Sequence, residues 1–159
     1  MANAHCSYTY NFKDLSTATY QPGGNAIISL DSMSHRVLPN SIYDPEGLGR
    51  WTSTLYNGKN GLHLRVIQIY CPPLPSSLSP NSSYSQQHRF FLSHNNEECP
   101  RTLFFHHLSQ FLTSCMQSHE LIILMGDFNH IVDSPTVVNF LAQHSLHNIH
   151  QTAHSSYTT

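Results

Sequence analysis

The chain has 159 residues, enough for one domain with a buried core, and its ordinary apolar content and plentiful aromatics exclude a disordered protein. Seven Lys and Arg against nine Asp and Glu leave a net charge of -2, which excludes a strongly basic nucleic-acid platform. A nuclease is still allowed, because a bound metal supplies positive charge locally.

The first twenty residues carry little pattern and are set apart from residues 21 to 159. Gly23-Gly24 then introduces "NAIISL" (25–30), a short β-prone run, and a Pro-, Asn- and Asp-rich loop follows. "RWTSTLY" (50–56) and "LHLRVIQIY" (62–70) flank "NGKNG", whose Gly and Asn supply the positive φ of a tight reversal, so a hairpin is predicted. In its second arm Leu62, Leu64 and Val66 alternate with His63 and Arg65. The end, "VIQIY", is apolar on both faces, as in a central strand covered on two sides. "CPPLPSSLSPNSSYSQQ" (71–87) predicts a long surface loop. After Pro100, the spacing of Phe104, Leu108, Phe111, Leu112 and Cys115 marks an amphipathic helix of about four turns. "LIILM" (121–125) is too short for a helix and reads as a fully buried strand. Ser134 and Pro135 open a shorter helix whose apolar face is Val137, Phe140 and Leu141. Strands alternating with helices predict an α/β layered fold.

The last predicted strand stops at Gly126, Asp127, Phe128 and Asn129. Asp127 and Asn129 then stand in a loop at the carboxyl edge of a sheet, where open α/β folds locate their sites. Gly126 permits a turn or a close approach, and residues two apart present their polar ends to one place. A carboxylate and an amide suit phosphoryl chemistry. The acid takes a proton from water or helps to hold a metal, and the amide donates to a phosphoryl oxygen without adding negative charge. Asp-x-Asn after a strand is also ordinary turn chemistry, and the four residues alone favour the turn.

"ILMGDFN" resembles the Gly-Asp-Phe/Leu-Asn signature of the endonuclease/exonuclease/phosphatase superfamily, which includes apurinic-site endonucleases and the endonucleases of non-LTR retrotransposons. Three further stretches match in order. "PGGNAIIS" (22–29) resembles the family's Gly-Gly-containing strand, and "GRWTSTLY" (49–56) with its hairpin resembles the central strand pair. "VIQIYCPP" (66–73) resembles the strand ending in Tyr-x-Pro on one wall of the site. With "QQHR", the series is most similar to the retroelement branch, over roughly residues 20 to 159. The resemblance implies part of a four-layer α/β sandwich, with mixed β-sheets flanked by helices. It also implies Mg²⁺- or Mn²⁺-dependent phosphodiester hydrolysis with DNA as substrate. Asp127 matches the residue that orients or deprotonates the attacking water and would be a weak metal ligand. Asn129 and Tyr70 match residues at the scissile phosphate, and a strand-end tyrosine packed with its hydroxyl wet is the alternative for Tyr70. His130, next to the motif, is a candidate phosphate contact, against a plain surface-loop histidine. Phe128 is read as packing, and Trp51 and Arg50 as a core aromatic beside a surface cation.

Other features run against the pattern. The family carries an Asn and a metal-binding Glu ahead of the Gly-Gly strand. Residues 1–20 contain no Glu, and Asn11 and Asp14 lack the strand context to take these roles. The family's closing Ser-Asp-His segment has no counterpart before the chain stops at "SSYTT", so the middle of a domain, truncated at both ends, is expected. Two alternatives to an active hydrolase remain. One is a catalytically inactive, partner-binding fragment that self-associates through uncovered strand edges. The other is a phosphomonoesterase of the same fold, which the scarcity of cations disfavours. His144, His147, His150 and His154 are spaced for one helical face and hence for zinc or nickel, but no carboxylate or thiolate stands nearby, and solvated loop histidines are the default. His106 and His107 are placed on the polar side of the long helix. Cys6, Cys71, Cys99 and Cys115 have no metal or disulfide spacing. With no membrane-length apolar run and no signal-like start, an intracellular chain without a membrane partner is expected.

Overall fold

The structure is a computed structural model describing residues 3–13, 23–39, 41–74 and 79–149. The strands are β1 (Ala4–Thr9), β2 (Asn25–Leu30), β3 (Trp51–Asn57), β4 (His63–Tyr70) and β5 (Leu121–Asp127); the helices are α1 (Asp31–Ser34), α2 (Ser83–Ser93), α3 (Pro100–Gln117) and α4 (Pro135–Gln143). β1 and β2 form an antiparallel pair. β3 and β4 form the expected hairpin, and β5 adds to β4 in parallel after the crossover through α2 and α3. This is an α/β fold of mixed sheets flanked by helices, as the sequence predicts.

Strand alternation divides the molecule into layers. Trp51, Ile67 and Ile69 point to one side, where Phe104, Leu108 and Leu112 of α3 and Phe140 of α4 complete a core of fully or nearly fully buried residues. Each such side chain contributes about 1.5–3 kcal/mol by leaving water. Trp51 stacks on Phe111 and meets Phe104 edge-on, with ring centroids 6.4 and 6.0 Å apart. The opposite side of the hairpin meets β1 and β2 through buried hydroxyls: Thr54 Oγ1 donates to Ser7 Oγ at 2.8 Å, and Ser29 Oγ lies 2.6 Å from Tyr56 Oη.

That polar interlayer explains the first departure from expectation. β1 lies inside the stretch without sequence pattern because its inward residues, Ser7 and Thr9, are polar while Tyr8 is outward. α2 likewise occupies the end of the expected loop. Ser82 caps it by accepting from Ser85 N at 3.1 Å, and its buried residues are Ser83, Gln86, Gln87 and Phe91, so no apolar period marks it.

Arg50 and His107 are also placed otherwise than predicted, and Arg65 takes a buried place that no sequence pattern marked. Arg50 is fully buried rather than a surface cation. Asp44 accepts from its Nη2 at 2.6 Å and its Nε at 2.8 Å, and the Trp51 ring lies 4.7 Å from the guanidinium carbon. Arg65 points into the helix side of the sheet, where Glu120 accepts from Nε at 2.5 Å and Nη2 at 2.8 Å, so the charge of this alternating arm faces inward. That partner holds the Glu120 carboxyl below its usual range. His107 does not lie on a purely polar face, because its Nδ1 sits 3.1 Å from both terminal nitrogens of Arg50.

β5 is not fully buried. Ile122 and Leu124 pack on the helix core, but Leu121, Ile123 and Met125 on the other side are exposed, because β1 and β2 cover the hairpin and not the third strand. β5 is the edge of its sheet among the described residues. No helix there is long and apolar enough to cross a membrane.

Candidate active site

The parallel pairing of β4 and β5 builds the site. Tyr70 and Asp127 close the two strands and occupy opposed register positions, so they share one face at one carboxyl edge. The pairing runs one bond further, from Cys71 N to Asp127 O at 2.8 Å. Gly126 is required for this approach, because a Cβ there would stand 2.1 Å from Ile69 O, and its φ of 131° is open to glycine alone.

Past Asp127 the chain turns sharply. Asn129 has φ 46°, a left-handed conformation that asparagine tolerates. Its backbone N–H donates to Asp127 Oδ1 at 2.7 Å, and its Nδ2 donates to Cys71 O at 2.7 Å. The turn chemistry that the motif allows is therefore realised, and it consumes only part of the polar capacity. Asp127 is exposed, and no donor among the described residues bonds its Oδ2. Asn129 keeps its second amide hydrogen and its Oδ1. Tyr70 is half-buried, with Gly23 beside its ring: a Cβ on Gly23 would lie 3.8 Å from Tyr70 Cδ1. Tyr70, Asp127 and Asn129 are thus brought together, and the Gly-Gly segment flanks them.

His130 stands slightly apart. Its ring meets Phe105 edge-on at 5.4 Å and lines the groove along β5, and burial together with the charge of Arg101 pushes its pKa down. Phe128 stacks on Phe105 at 6.2 Å and joins the helix core, anchoring the turn as expected of a packing residue. Cys71 is no nucleophile: its thiol is fully buried, and burial raises its pKa to about 12.

Arg101, in the first turn of α3, is the residue that sequence reasoning missed. It is 5% exposed, and its guanidinium donates to Pro72 O at 2.5 Å and to Asn129 O at 2.9 Å. It therefore ties the loop after β4 to the loop after β5. The available signal was its position, since a cation in a first helical turn opposes the helix dipole and needs another reason to be there. Asn11 serves the scaffold, with Nδ2 donating to Gln86 Oε1 at 3.0 Å, and Asp14 lies outside the described residues.

The histidine series is not a ligand set among the described residues. His144 is buried rather than solvated, 2.5 Å from Ser109 Oγ through Nε2, and burial lowers its pKa. His150 and His154 lie outside the described residues. Among the described residues no three His, Cys, Asp or Glu side chains gather as a metal site. Asp127 supplies one open carboxylate oxygen, and Mg²⁺ is commonly bound through one or two carboxylates with water completing its shell.

No known family profile matches the chain, and no curated protein sequence matches it. Among solved structures, it is similar to a sphingomyelinase C from Streptomyces griseocarneus. The identity is 15% and the TM-score 0.33, over 63% of this chain and 30% of that one, so the match spans less than a third of that protein's length.

Proposed function

We propose that the chain is part of a divalent-metal-dependent phosphodiester hydrolase of the endonuclease/exonuclease/phosphatase type, acting on DNA. The observation that carries this is the pairing of Tyr70 with Asp127 at one sheet edge, with one oxygen of Asp127 free and Asn129 beside it. Asp127 Oδ2 takes a proton from a water molecule as its oxygen attacks phosphorus, and the opposite ester oxygen leaves with the electron pair of the broken P–O bond. Tyr70 Oη and the spare Asn129 amide hydrogen orient the phosphate. Asp127 would touch a Mg²⁺ through one of the ion's waters rather than through the oxygen that takes the proton, and the ion would supply positive charge against the phosphate. That charge needs a source, because the guanidinium of Arg101 is buried and committed to two carbonyls.

The test is nicking of supercoiled plasmid in Mg²⁺ by the wild type and by Asp127→Ala. Loss of the carboxylate is expected to lower the rate by about 100-fold or more. Equal nicking by the two proteins overturns the assignment.

A second reading has its own support. The outer side of β1–β2, with Tyr8, Ile28 and Leu30, and the open side of β5, with Leu121, Ile123 and Met125, are bare apolar surfaces in the described residues. Such surfaces favour a chain that works covered, with a second copy as one cover.

A further inference from the structure

Four aromatic side chains stand exposed around one depression of about 480 Å³ beside β1, which pairs with β2 alone among the described strands. Tyr8, Tyr10 and Phe12 alternate along the chain, 60%, 52% and 49% exposed, and Tyr43 faces them from the other lip, 44% exposed, with Pro45 beside it. Monomeric proteins rarely cluster large aromatics in water without a use for them.

The notch is built rather than incidental. Phe12 lies over Gly47, where a Cβ would stand 2.3 Å from Phe12 Cζ, and its backbone N–H donates to Gly47 O at 3.3 Å. Tyr10 meets Phe12 edge-on, with centroids 6.1 Å apart. Lys13 Nζ sits 5.1 Å from the Phe12 centroid, placing a cation at the rim. The acid in the lining, Asp44, is neutralised by Arg50 and repels no phosphate. The Gly23-Gly24 segment lies between an aromatic of the notch and a residue of the candidate active site. A Cβ on Gly24 would lie 3.7 Å from Tyr10 Cα and Cβ, and the preceding Gly23 flanks the Tyr70 ring.

We propose that this aromatic notch stacks unpaired nucleobases, so that the hydrolase takes a strand with exposed bases rather than a continuous duplex. The inference rests on the phosphodiesterase reading and names the substrate class of that same site. Every base has a stacking face, so such a platform binds a strand without reading its sequence, and stacking adds to what the cation at its rim contributes.

The test is fluorescence anisotropy of the full chain with a short labelled oligothymidylate, the matching duplex and an abasic strand of equal length. The oligothymidylate is expected to bind tightest. Tyr8→Ala and Tyr43→Ala should each weaken it roughly tenfold, with Tyr43→Trp restoring it. With Lys13 as the cation at the rim, log K should fall by no more than about 0.7 per decade of salt. Binding that is equal for the abasic strand, or unchanged in both alanine variants, overturns the proposal. So does capture by phosphatidylcholine vesicles that the same variants abolish. Asp127→Ala should leave strand binding intact. If the strand binds and nothing is nicked, the catalytic reading alone fails; if plasmid is nicked and the strand does not bind, the notch alone fails.

Discussion

Arg50 and His107 form a contact that works in only one protonation state. His107 Nδ1 must accept from the guanidinium, and a proton there would set cation against cation. Burial is the first cause of the lowered His107 pKa, and Arg50 and His106 add to it while Asp44 and Glu46 oppose it. Because the folded value lies below the unfolded one near 6.5, this contribution to stability is complete above about pH 6.5. It is lost as pH falls from there toward the folded value. Urea midpoints measured at about pH 8 and about pH 5 should drop further for the wild type than for His107→Gln, whose amide oxygen can still accept from Arg50 without titrating. Equal drops would remove His107 from the account.

At the scale of elements, α3 connects the core to the site. Its apolar side packs the sheet, and Arg101 in its first turn fastens the loops that carry the site residues. Arg101→Met leaves two inward carbonyls without their charged donor and is expected to cost about 3 kcal/mol of stability, read from urea unfolding. Faster hydrogen exchange at the Asn129 amide should accompany it. Arg101→Lys should recover only part, since an ammonium lacks the planar fork that spans two acceptors. Unchanged stability in Arg101→Met would mean that the loops hold without the clamp. β2, the hairpin, α3 and α4 were legible in the sequence because apolar spacing marks them. β1 and α2 were not, because their buried faces are Ser7 and Thr9, and Ser83, Gln86 and Gln87. The positions of Tyr70 and Asp127 at strand ends, and of Asn129 in the turn beyond, were legible within a motif. Arg101 was hidden because its partners are backbone carbonyls, which leave no trace in residue types.

For the molecule as a whole, the helix side is packed except for the groove along β5, and the other side is open beyond the hairpin. β5 carries Leu121, Ile123 and Met125 toward solvent and meets no further strand among the described residues. Natural edges are usually guarded by charge, proline or a bulge, and residues 121–125 contain neither charge nor proline. Sedimentation should therefore show a mass that rises with protein concentration, and Ile123→Lys should return the chain to monomer without lowering its melting temperature. A wild type that stays monomeric at the highest soluble concentration would rule out a second copy as the cover.

The shared rung of Tyr70 and Asp127 makes β5 intolerant of a frame change in its hydrogen-bonded ladder. Deleting one residue ahead of Leu124, with the start of the strand held in register, would swing the carboxylate through to the aromatic interior and expel Leu124 in exchange. Residues added to the helical crossover would leave the acid where it stands.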